Sequence, residues 1–363
     1  MRELIQTLLA FVNRYERQLS GAGMVGGFAF DDVTFRRIDL PNTQAIFIGY
    51  LVLAAAAILL LHLFMRRAGE GKPLPRWHGI LPMAAQFALG GLWSAFLVFY
   101  SRGAVFAEAW PFLMVLAVIL IANEVFKKYL DRLILTAILF FFALFSYAIL
   151  TVPILTHSIG RFTFLLSGGI ALGAFALFLW LVANTGREQW RAARWPVLGG
   201  AAAVYAVLNA FYFTGILPPL PLALADEGIY HHVVKADDRY TAEAEAEPWF
   251  TGAFVPKTVH VKQGAPLYFY SAVFAPIALS TEIVHDWQRY DAKAKVWRSV
   301  SRVVYSIHGG RDGGYRGYSV KHAPEPGLWR VDVDTADGHV IGRLKFTVED
   351  SDQPVPLAVK TLN

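Results

Sequence analysis

Six apolar segments of about 20 residues each fill most of the first two-thirds of this 363-residue chain. They constrain its fold more than any other feature, because a bilayer core of roughly 30 Å needs about 20 apolar residues of helix. A helix that is apolar on every side over this length is typical of a membrane span. The sequence therefore predicts a transmembrane helical bundle over residues 41–218. Its predicted spans are Thr43–Phe64, Gly79–Tyr100, Ala104–Val125, Leu133–Leu155, Phe162–Ala183 and Pro196–Ile216.

Basic residues concentrate in alternate loops. The loops after the first, third and fifth segments are rich in Lys and Arg, whereas the other two hold only Arg102 and Arg161. Because cationic loops stay in the cytoplasm, the C-terminal region that follows the sixth span is predicted to lie outside. We expect a multi-pass protein of the bacterial inner membrane with a periplasmic C-terminal domain. The first strong segment lacks the length and flanks of a cleavable signal peptide.

Charge and cysteine content exclude several function classes. Residues 1–224 carry 17 Lys and Arg against 10 Asp and Glu, so the net charge of +5 comes from the membrane half. The remainder is slightly acidic, which argues against nucleic acid as a partner because phosphate contacts need clustered cations. The chain has no Cys, which excludes disulfides, thiolate nucleophiles and Cys-ligated metals.

Residues 1–40 leave the number of spans open. Met1–Arg17 fits an amphipathic helix, and a glycine-rich stretch follows it. If roughly Leu19–Phe35 crosses or re-enters the membrane, the bundle has seven spans, which is the interpretation we favour. The alternative is a helix that lies in the membrane interface.

From about Glu227 the periodicity changes to that of strands. A proline-rich junction, residues 219–230, leads into this region, and prolines stiffen such a segment. Alternating side chains in Gly327–Thr335 and again from Leu344 flank an Asp-Gly turn. This pattern predicts a β-hairpin.

The strand pattern also predicts the fold of the C-terminal region. About seven or eight short strands without helices between them favour an antiparallel β-sandwich of immunoglobulin-like type. We assign it to residues 231–350, with a tail over 351–363; a small closed barrel is the alternative. The other predicted strands are Lys257–Val261, Leu267–Val273, Thr281–Trp287, Val296–Ser301, Val303–His308 and Gly317–Lys321.

The segment His308–His322, HGGRDGGYRGYSVKH, is the densest candidate for ligand binding. Its glycines permit positive φ angles, and successive backbone N–H groups then form an anion-binding nest. Arg311 and Arg316 would add bidentate contacts to phosphate or carboxylate, beside Asp312 and Tyr318. The alternative is a long hairpin loop in which Arg and Asp pair with each other. No Lys-Ser or Lys-Thr follows the glycines, so this is not an NTPase phosphate loop.

His285 and Trp287 form the second candidate. At strand spacing they share one face, and an exposed face of this kind suits sugar stacking; core packing is the alternative. We predict no metal site, because a site needs three or four converging ligands, and no bound cofactor. No Gly-x-Ser-x-Gly or His-Glu-x-x-His motif is present, so the sequence leans away from an enzyme.

Glu108 and Glu124 are ionisable residues within the predicted spans. Buried charge is costly in lipid and is often functional, so both are intramembrane candidates. However, each lies a few residues from basic residues, Arg102 and Lys127, and placement at the membrane interface is the alternative for both.

Several segments together resemble one family. They are the junction FYFTGILPPLPLALADEGIYH, the motifs APIAL, HDW, GGRDGGYRGYS and PGLWRVDV, and the N-terminal GGFAFDDVTFRRIDL. On these motifs the chain resembles an uncharacterised family of bacterial membrane proteins with a C-terminal domain of unknown function. The resemblance covers most of the chain and implies spans followed by a periplasmic domain. It brings no activity, substrate or cofactor.

Two function classes follow from these features. The first is a membrane-anchored binding or scaffolding protein that presents a periplasmic β-sandwich to an envelope glycan, lipid head group or protein partner. The second is a transporter or membrane enzyme of envelope components with the sandwich as an accessory domain. The second class predicts that Glu108 or Glu124 faces the bundle interior with a partner. We favour the first, because no complete catalytic set is present.

Overall fold

A computed structural model describes residues 39–75, 78–103, 105–125, 133–185, 187–219, 221–236, 239–245, 257–276, 279–310, 313–353 and 355–362. Across these ranges, six α-helices precede eleven β-strands. The proposed seventh span, Leu19–Phe35, lies outside them. Contacts divide the chain into two compact units. The first is helical, and the second holds the strands together with the interhelix segments Arg102–Ala109 and Pro153–Thr163.

The helices confirm most of the predicted spans. Among the described residues, five are long and apolar enough to cross a membrane by length and composition. The apolar part of the remaining helix, Glu108–Asn123, is shorter. The helices are α1 (Pro41–Gly69), α2 (Leu81–Arg102), α3 (Phe106–Val125), α4 (Leu133–Thr156), α5 (Arg161–Thr185) and α6 (Arg187–Phe213), and a 3₁₀ turn, His78–Ile80, precedes α2.

The start of α6 differs from the prediction. The predicted sixth span begins at Pro196, whereas the helix begins at Arg187 and holds Pro196 in its interior. The first turns place Arg191 and Arg194 on the exposed side and Ala193 on the buried side. An apolar run marks only the part of a helix that crosses lipid, so a polar amphipathic extension escapes detection.

Aromatic rings and polar backbone contacts hold the helical unit together. Trp93 stacks on Phe142 with ring centroids 5.5 Å apart. The Gln86 side-chain amide donates to the Asn123 carbonyl oxygen at 2.9 Å, and the Asn123 amide donates to the Gln86 carbonyl oxygen at 3.1 Å. Gly90 gives this pair room, since a Cβ there would lie 2.9 Å from the Asn123 amide nitrogen. Small residues allow helices to approach closely in membranes.

The second unit contains three sheets. One has the order β1-β5-β8, the second β4-β10-β9-β6-β7 and the third β11-β3-β2. All pairs are antiparallel except β4 with β10. The strands are β1 (Ala223–Tyr230), β2 (His232–Ala236), β3 (Arg239–Glu245), β4 (Lys257–Val261), β5 (Leu267–Phe274), β6 (Ser280–Asp291), β7 (Val296–His308), β8 (Tyr315–Lys321), β9 (Gly327–Thr335), β10 (Val340–Asp350) and β11 (Leu357–Leu362).

The predicted hairpin is confirmed, since β9 and β10 pair antiparallel around the Asp-Gly turn. The two strands predicted within 296–308 form one long strand, β7. Its register with β6 shifts between Trp287 and Gln288, so that Val300 is an extra residue opposite them. Such a bulge reverses the alternation of side chains, which makes one strand look like two. Strand β1 occupies most of the proline-rich junction, and β11 lies in the tail.

Two apolar cores separate the three sheets. Phe269 of β5 joins Trp287, Val331 and Phe346 of the five-stranded sheet in the larger core, and all four are fully buried. Residues of β1 and β5 pack against β2, β3 and β11 in the smaller core. The sheet β1-β5-β8 therefore packs against apolar residues on both faces, and on the side of the smaller core Tyr318 of β8 stays 40% exposed. The immunoglobulin-like topology itself stays a prediction.

Candidate functional site

Strand β8 carries the two described members of the glycine-rich candidate. Arg311 and Asp312 lie outside the described residues. Arg316 and Tyr318 are two residues apart and face the same side of the sheet, and Tyr318 is 40% exposed. The structure therefore brings together two of the four residues predicted in this segment.

Aromatic neighbours extend this exposed face. The ring of Tyr268 lies 5.9 Å from that of Tyr318, and His232 meets the edge of Tyr268 at 5.3 Å. The Tyr240 hydroxyl donates to the backbone oxygen of Arg316 at 3.2 Å. We call His232, Tyr268, Arg316 and Tyr318 the tyrosine surface.

The glycines of this segment are required by close packing. A Cβ at Gly317 would lie 2.8 Å from the Tyr305 ring, and a Cβ at Gly309 would overlap the carbonyl oxygen of Pro276. Gly314 has a φ of +79°, in the region that glycine adopts most readily. In the described part of the segment, these glycines thus allow β8 to pack closely against its neighbours.

His285 and Trp287 lie on the other face of the sheet β1-β5-β8 from this surface. Both are completely buried, so they occupy the core and do not line a ligand surface in this arrangement. His285 contacts Ser271 through Nε2 at 2.8 Å and Ser319 through Nδ1 at 2.9 Å. The Trp287 indole N–H donates to the same Ser319 oxygen at 2.9 Å.

Tyr305 completes this group. Its hydroxyl lies 3.0 Å from His285 Nε2 and 2.9 Å from Ser271 Oγ. We call these five residues the histidine network. Burial lowers the pKa of His285 to about 3, so the imidazole is neutral, and burial also raises the pKa of Tyr305. A serine beside a histidine suits nucleophilic catalysis, but Ser271 and His285 have no exposed surface. The network therefore fixes β8 to the five-stranded sheet.

The opposite face of the five-stranded sheet carries charge. Arg343 makes two contacts with Asp332: its Nε donates to Oδ1 and its Nη2 donates to Oδ2, both at 2.7 Å. Its third nitrogen, Nη1, lies 2.6 Å from Glu108 Oε1. Such bidentate pairs are the strongest charge-assisted hydrogen bonds in proteins. Burial alone would lower the pKa of Arg343, but the two carboxylates raise it well above its ordinary value.

Further polar residues continue the chain of contacts. Gln288 donates to Asp286 at 2.6 Å and to Asp332 at 3.3 Å. Arg330 donates to the Gln288 oxygen at 2.9 Å, and Ser299 donates to Asp286. Asp286 and Asp332 are directly opposite each other on β6 and β9. We call Glu108, Asp286, Gln288, Arg330, Asp332, Asp334 and Arg343 the acid–arginine network.

Asp334 is the least well paired carboxyl group of this network. It is 7% exposed, and its Oδ1 has no hydrogen-bond partner among the described residues. Burial first, and then the charges of Asp332 and Asp286, raise its pKa to about 7. A nearby contact links the same hairpin to the α4–α5 segment, since the backbone N–H of Arg161 donates to Asp337 at 3.2 Å.

Glu108 is thus placed beside Arg343 of the β region, at the start of α3. The side chain of Glu124 lies outside what the structure describes.

A third polar group joins the ends of three strands. Glu245 accepts from His231 at 2.9 Å and from the His260 ring at 2.9 Å, and the His260 backbone N–H donates to it at 2.7 Å. We call it the His–Glu–His cluster. The hydrogen bond to Glu245 raises the pKa of the His260 imidazole. Within the described ranges, no three His, Asp or Glu residues are arranged to hold a metal ion.

Comparison with known proteins gives one family match. Residues 280–348 match the family described as "Protein of unknown function (DUF2914)". The match begins at the first residue of β6 and ends within β10, so it contains most of both networks. No curated protein matches the chain. A solved structure of the Pseudomonas fluorescens alkylpurine DNA glycosylase AlkC, bound to DNA with an abasic site analog, covers 83% of this chain and 98% of its own at 12% identity. Its TM-score of 0.20 carries no argument.

The acid–arginine network was not predicted from the sequence. A signal was present: Asp286 and Gln288 on one strand, and Arg330, Asp332 and Asp334 on another, alternate with apolar residues. That pattern is typical of a solvent-facing side of a sheet. Only the pairing of β6, β9 and β10 shows that this face is buried.

Proposed function

We propose that this chain is a membrane-anchored binding protein of the bacterial inner membrane. In this proposal the helices hold the β region on the periplasmic side, and the tyrosine surface binds an anionic envelope glycan. One observation carries the proposal: Tyr318 is 40% exposed beside Tyr268 and shares a sheet face with Arg316.

The chemistry of this surface suits such a ligand. Tyrosine offers a large and rigid contact area with a polar tip at small entropic cost, and the flat face of a sugar ring can lie on it. An arginine adds bidentate recognition of a carboxylate. Tyrosine and arginine are also enriched where binding energy concentrates. The histidine network supports the surface from below, because Ser319 lies next to Tyr318 in β8.

The composition of the second unit supports the proposed topology. It contains the α2–α3 segment, the α4–α5 segment and the β region, all of which are predicted to lie outside from the charges of the loops. If α4, α5 and α6 each cross the membrane, these three parts share one side only when α3 also crosses. This supports six crossings in spite of the short apolar part of α3.

The contact of Glu108 bears on the alternative function. A transporter or membrane enzyme would place this carboxylate inside the bundle with a partner there. Instead its partner is Arg343 of β10, at 2.6 Å. No described contact therefore favours transport or membrane catalysis.

Binding is tested with the full chain in lipid nanodiscs and a panel of acidic and neutral envelope glycans. We expect retention of acidic glycans, lost at least tenfold in Tyr318→Ala and in Arg316→Gln. The control is Arg298→Gln, an exposed arginine on β7, which should bind like the unaltered chain. Binding of lipid head groups or proteins alone, or equal binding by all variants, would contradict the proposal.

Topology is tested with a reporter that is active only in the periplasm, fused after Asn363. We expect activity, because the charged loops place the end of α6 outside. An inactive reporter, together with activity of a cytoplasmic reporter at the same position, would reverse the orientation.

A further inference from the structure

The acid–arginine network contains more carboxylates than its arginines can neutralise. Asp286, Asp332 and Asp334 are each less than a tenth exposed, and Glu108 joins them through Arg343. Like charges directly opposite on a sheet are destabilising. The two arginines within the network, Arg330 and Arg343, cannot balance four ionised carboxylates.

Glu227 of β1 is a further partly buried carboxyl near Asp332, and burial first, then the charges of Asp226 and Asp332, raise its pKa to about 7. The other charged groups around Asp334 lie at the rim. Arg302 of β7 and Lys345 of β10 are exposed on the same face, where water screens them. His339 lies in the β9–β10 turn, and its backbone N–H donates to Thr335 at 3.1 Å. None of these groups supplies a described hydrogen bond to Asp334 Oδ1.

We propose that this network is a proton-controlled latch between the β9–β10 hairpin and the two interhelix segments. Asp334 holds a proton while Arg343 bridges Asp332 and Glu108. Loss of the proton leaves a new carboxylate that competes with Glu108 for Arg343. The hairpin is then released from segments 102–109 and 153–163.

The geometry of Arg343 permits this exchange. Two of its nitrogens hold Asp332, and only Nη1 reaches Glu108. Glu108 is also the more exposed partner, at 34% against 4% for Asp332. The bridge to Glu108 is therefore the weaker link, since exposed ion pairs contribute little. The charge of Arg343 already acts on Asp334.

The pH range follows from the sign of the linkage. The ordinary pKa of Asp334 is 3.8, and in the folded protein it is about 7. The folded state therefore binds the proton more tightly, and this contribution to stability is lost as pH rises from 3.8 through about 7. The latch is closed in mild acid and opens above neutral pH.

Spin labels test the latch directly, because the chain has no Cys. Labels at Thr156→Cys and Ala336→Cys report the distance between the α4–α5 segment and the β9–β10 turn in nanodiscs. His157 and His339, the histidines nearest to the two labels in the sequence, are replaced by Gln in this background. We expect one short distance at low pH and a longer one above a midpoint near pH 7.

Three variants separate the latch from other causes. Asp334→Asn mimics the protonated carboxyl and should keep the short distance at every pH. Glu108→Ala removes the acceptor of Arg343 Nη1 and should give the long distance at every pH. Asp291→Asn, at the end of β6 and outside the network, should leave the midpoint unchanged.

Infrared difference spectra, recorded between pairs of pH values, give a second readout. The carbonyl band of protonated carboxylic acids should disappear as pH rises through the midpoint. Asp334→Asn should lack the share of the band that Asp334 supplies, whereas the share of Glu227, whose pKa is also raised to about 7, should stay. A distance that is constant across pH overturns the latch. So does a return to the short distance at high pH on addition of Ca²⁺ or Mg²⁺, which would assign the network to a cation instead of a proton.

Discussion

The two faces of the five-stranded sheet stabilise their buried polar side chains in different ways. Both bury polar side chains, and both do so from the same strand: β6 points His285 inward and Asp286 outward. On the inner face the polar groups are neutral, and each hydroxyl and ring nitrogen has a partner. On the outer face the groups are charged, and one carboxyl oxygen of Asp334 has none in the described part of the chain.

This difference indicates which face of the sheet changes its contacts with pH. A fully satisfied neutral network rigidifies a core, whereas buried charges depend on every partner being present. The inner face therefore fixes β8 and the tyrosine surface. The outer face holds the contacts to the interhelix segments and responds to protons. Variants that break each network should show this contrast in size and in pH dependence.

The largest effect is expected for Arg343→Met. The change removes the bidentate partner of Asp332, a carboxylate that is 4% exposed, and leaves it only the longer contacts with Gln288 at 3.3 Å and Arg330 at 3.5 Å. Breaking a buried ion pair on one side costs about 3–5 kcal/mol. We expect that loss in the free energy of unfolding of the full chain, measured by urea denaturation with tryptophan fluorescence.

The matched control is Arg298→Met. Arg298 pairs with Asp291 at 2.9 Å, but its side chain is 66% exposed. An exposed pair contributes about 0–1 kcal/mol. If the two substitutions cost the same, the outer face is not a buried charge network.

A smaller effect is expected for His285→Phe. The ring shape is kept, but Ser271 and Ser319 each lose a hydrogen-bond partner. Ser271 keeps Tyr305 as a partner and Ser319 keeps Trp287, so each serine loses one hydrogen bond of about 0.5–1.5 kcal/mol. We expect a loss of about 1–3 kcal/mol in the free energy of unfolding near pH 8.

The pH dependence of this variant sharpens the comparison. Burial lowers the pKa of His285 from 6.5 to about 3, so the unfolded state takes up the proton first. The wild-type protein therefore loses about 1.4 kcal/mol per pH unit below 6.5, and His285→Phe does not. The difference between the two proteins should shrink as pH falls from 6.5 to 5. A difference that is constant or grows would mean that the imidazole is not buried in its neutral form.

Sequence alone predicted the architecture better than the site. Long apolar runs identify membrane helices because lipid admits few alternatives, and the β9–β10 hairpin followed from period-2 alternation around Asp-Gly. The site depends on which strands pair. The order β10-β9-β6 brings Asp286, Asp332 and Arg343 together across long stretches of chain, and no local pattern encodes that order. Likewise, the alternation that placed His285 and Trp287 on one face did not say that the face points inward.

The smallest effect is expected for His260→Gln, because His260 of the His–Glu–His cluster is more exposed than any residue of the two networks. The His260 side chain is 43% exposed, whereas Glu245 is 11% exposed. The hydrogen bond to Glu245 raises the pKa of His260 above 6.5. Its contribution is therefore fully present below pH 6.5 and is lost as pH rises through the raised pKa.

We expect His260→Gln to lower the thermal unfolding midpoint at pH 5.5 and to leave it nearly unchanged at pH 9, with a cost below about 1 kcal/mol because water screens the pair. His322→Gln, an exposed histidine after β8, serves as the control and should change neither midpoint. A loss for His260→Gln as large as that of Arg343→Met would show that exposure does not set the rank order of the three polar groups. Equal losses at both pH values would show that the Glu245 contact does not depend on a charged imidazole.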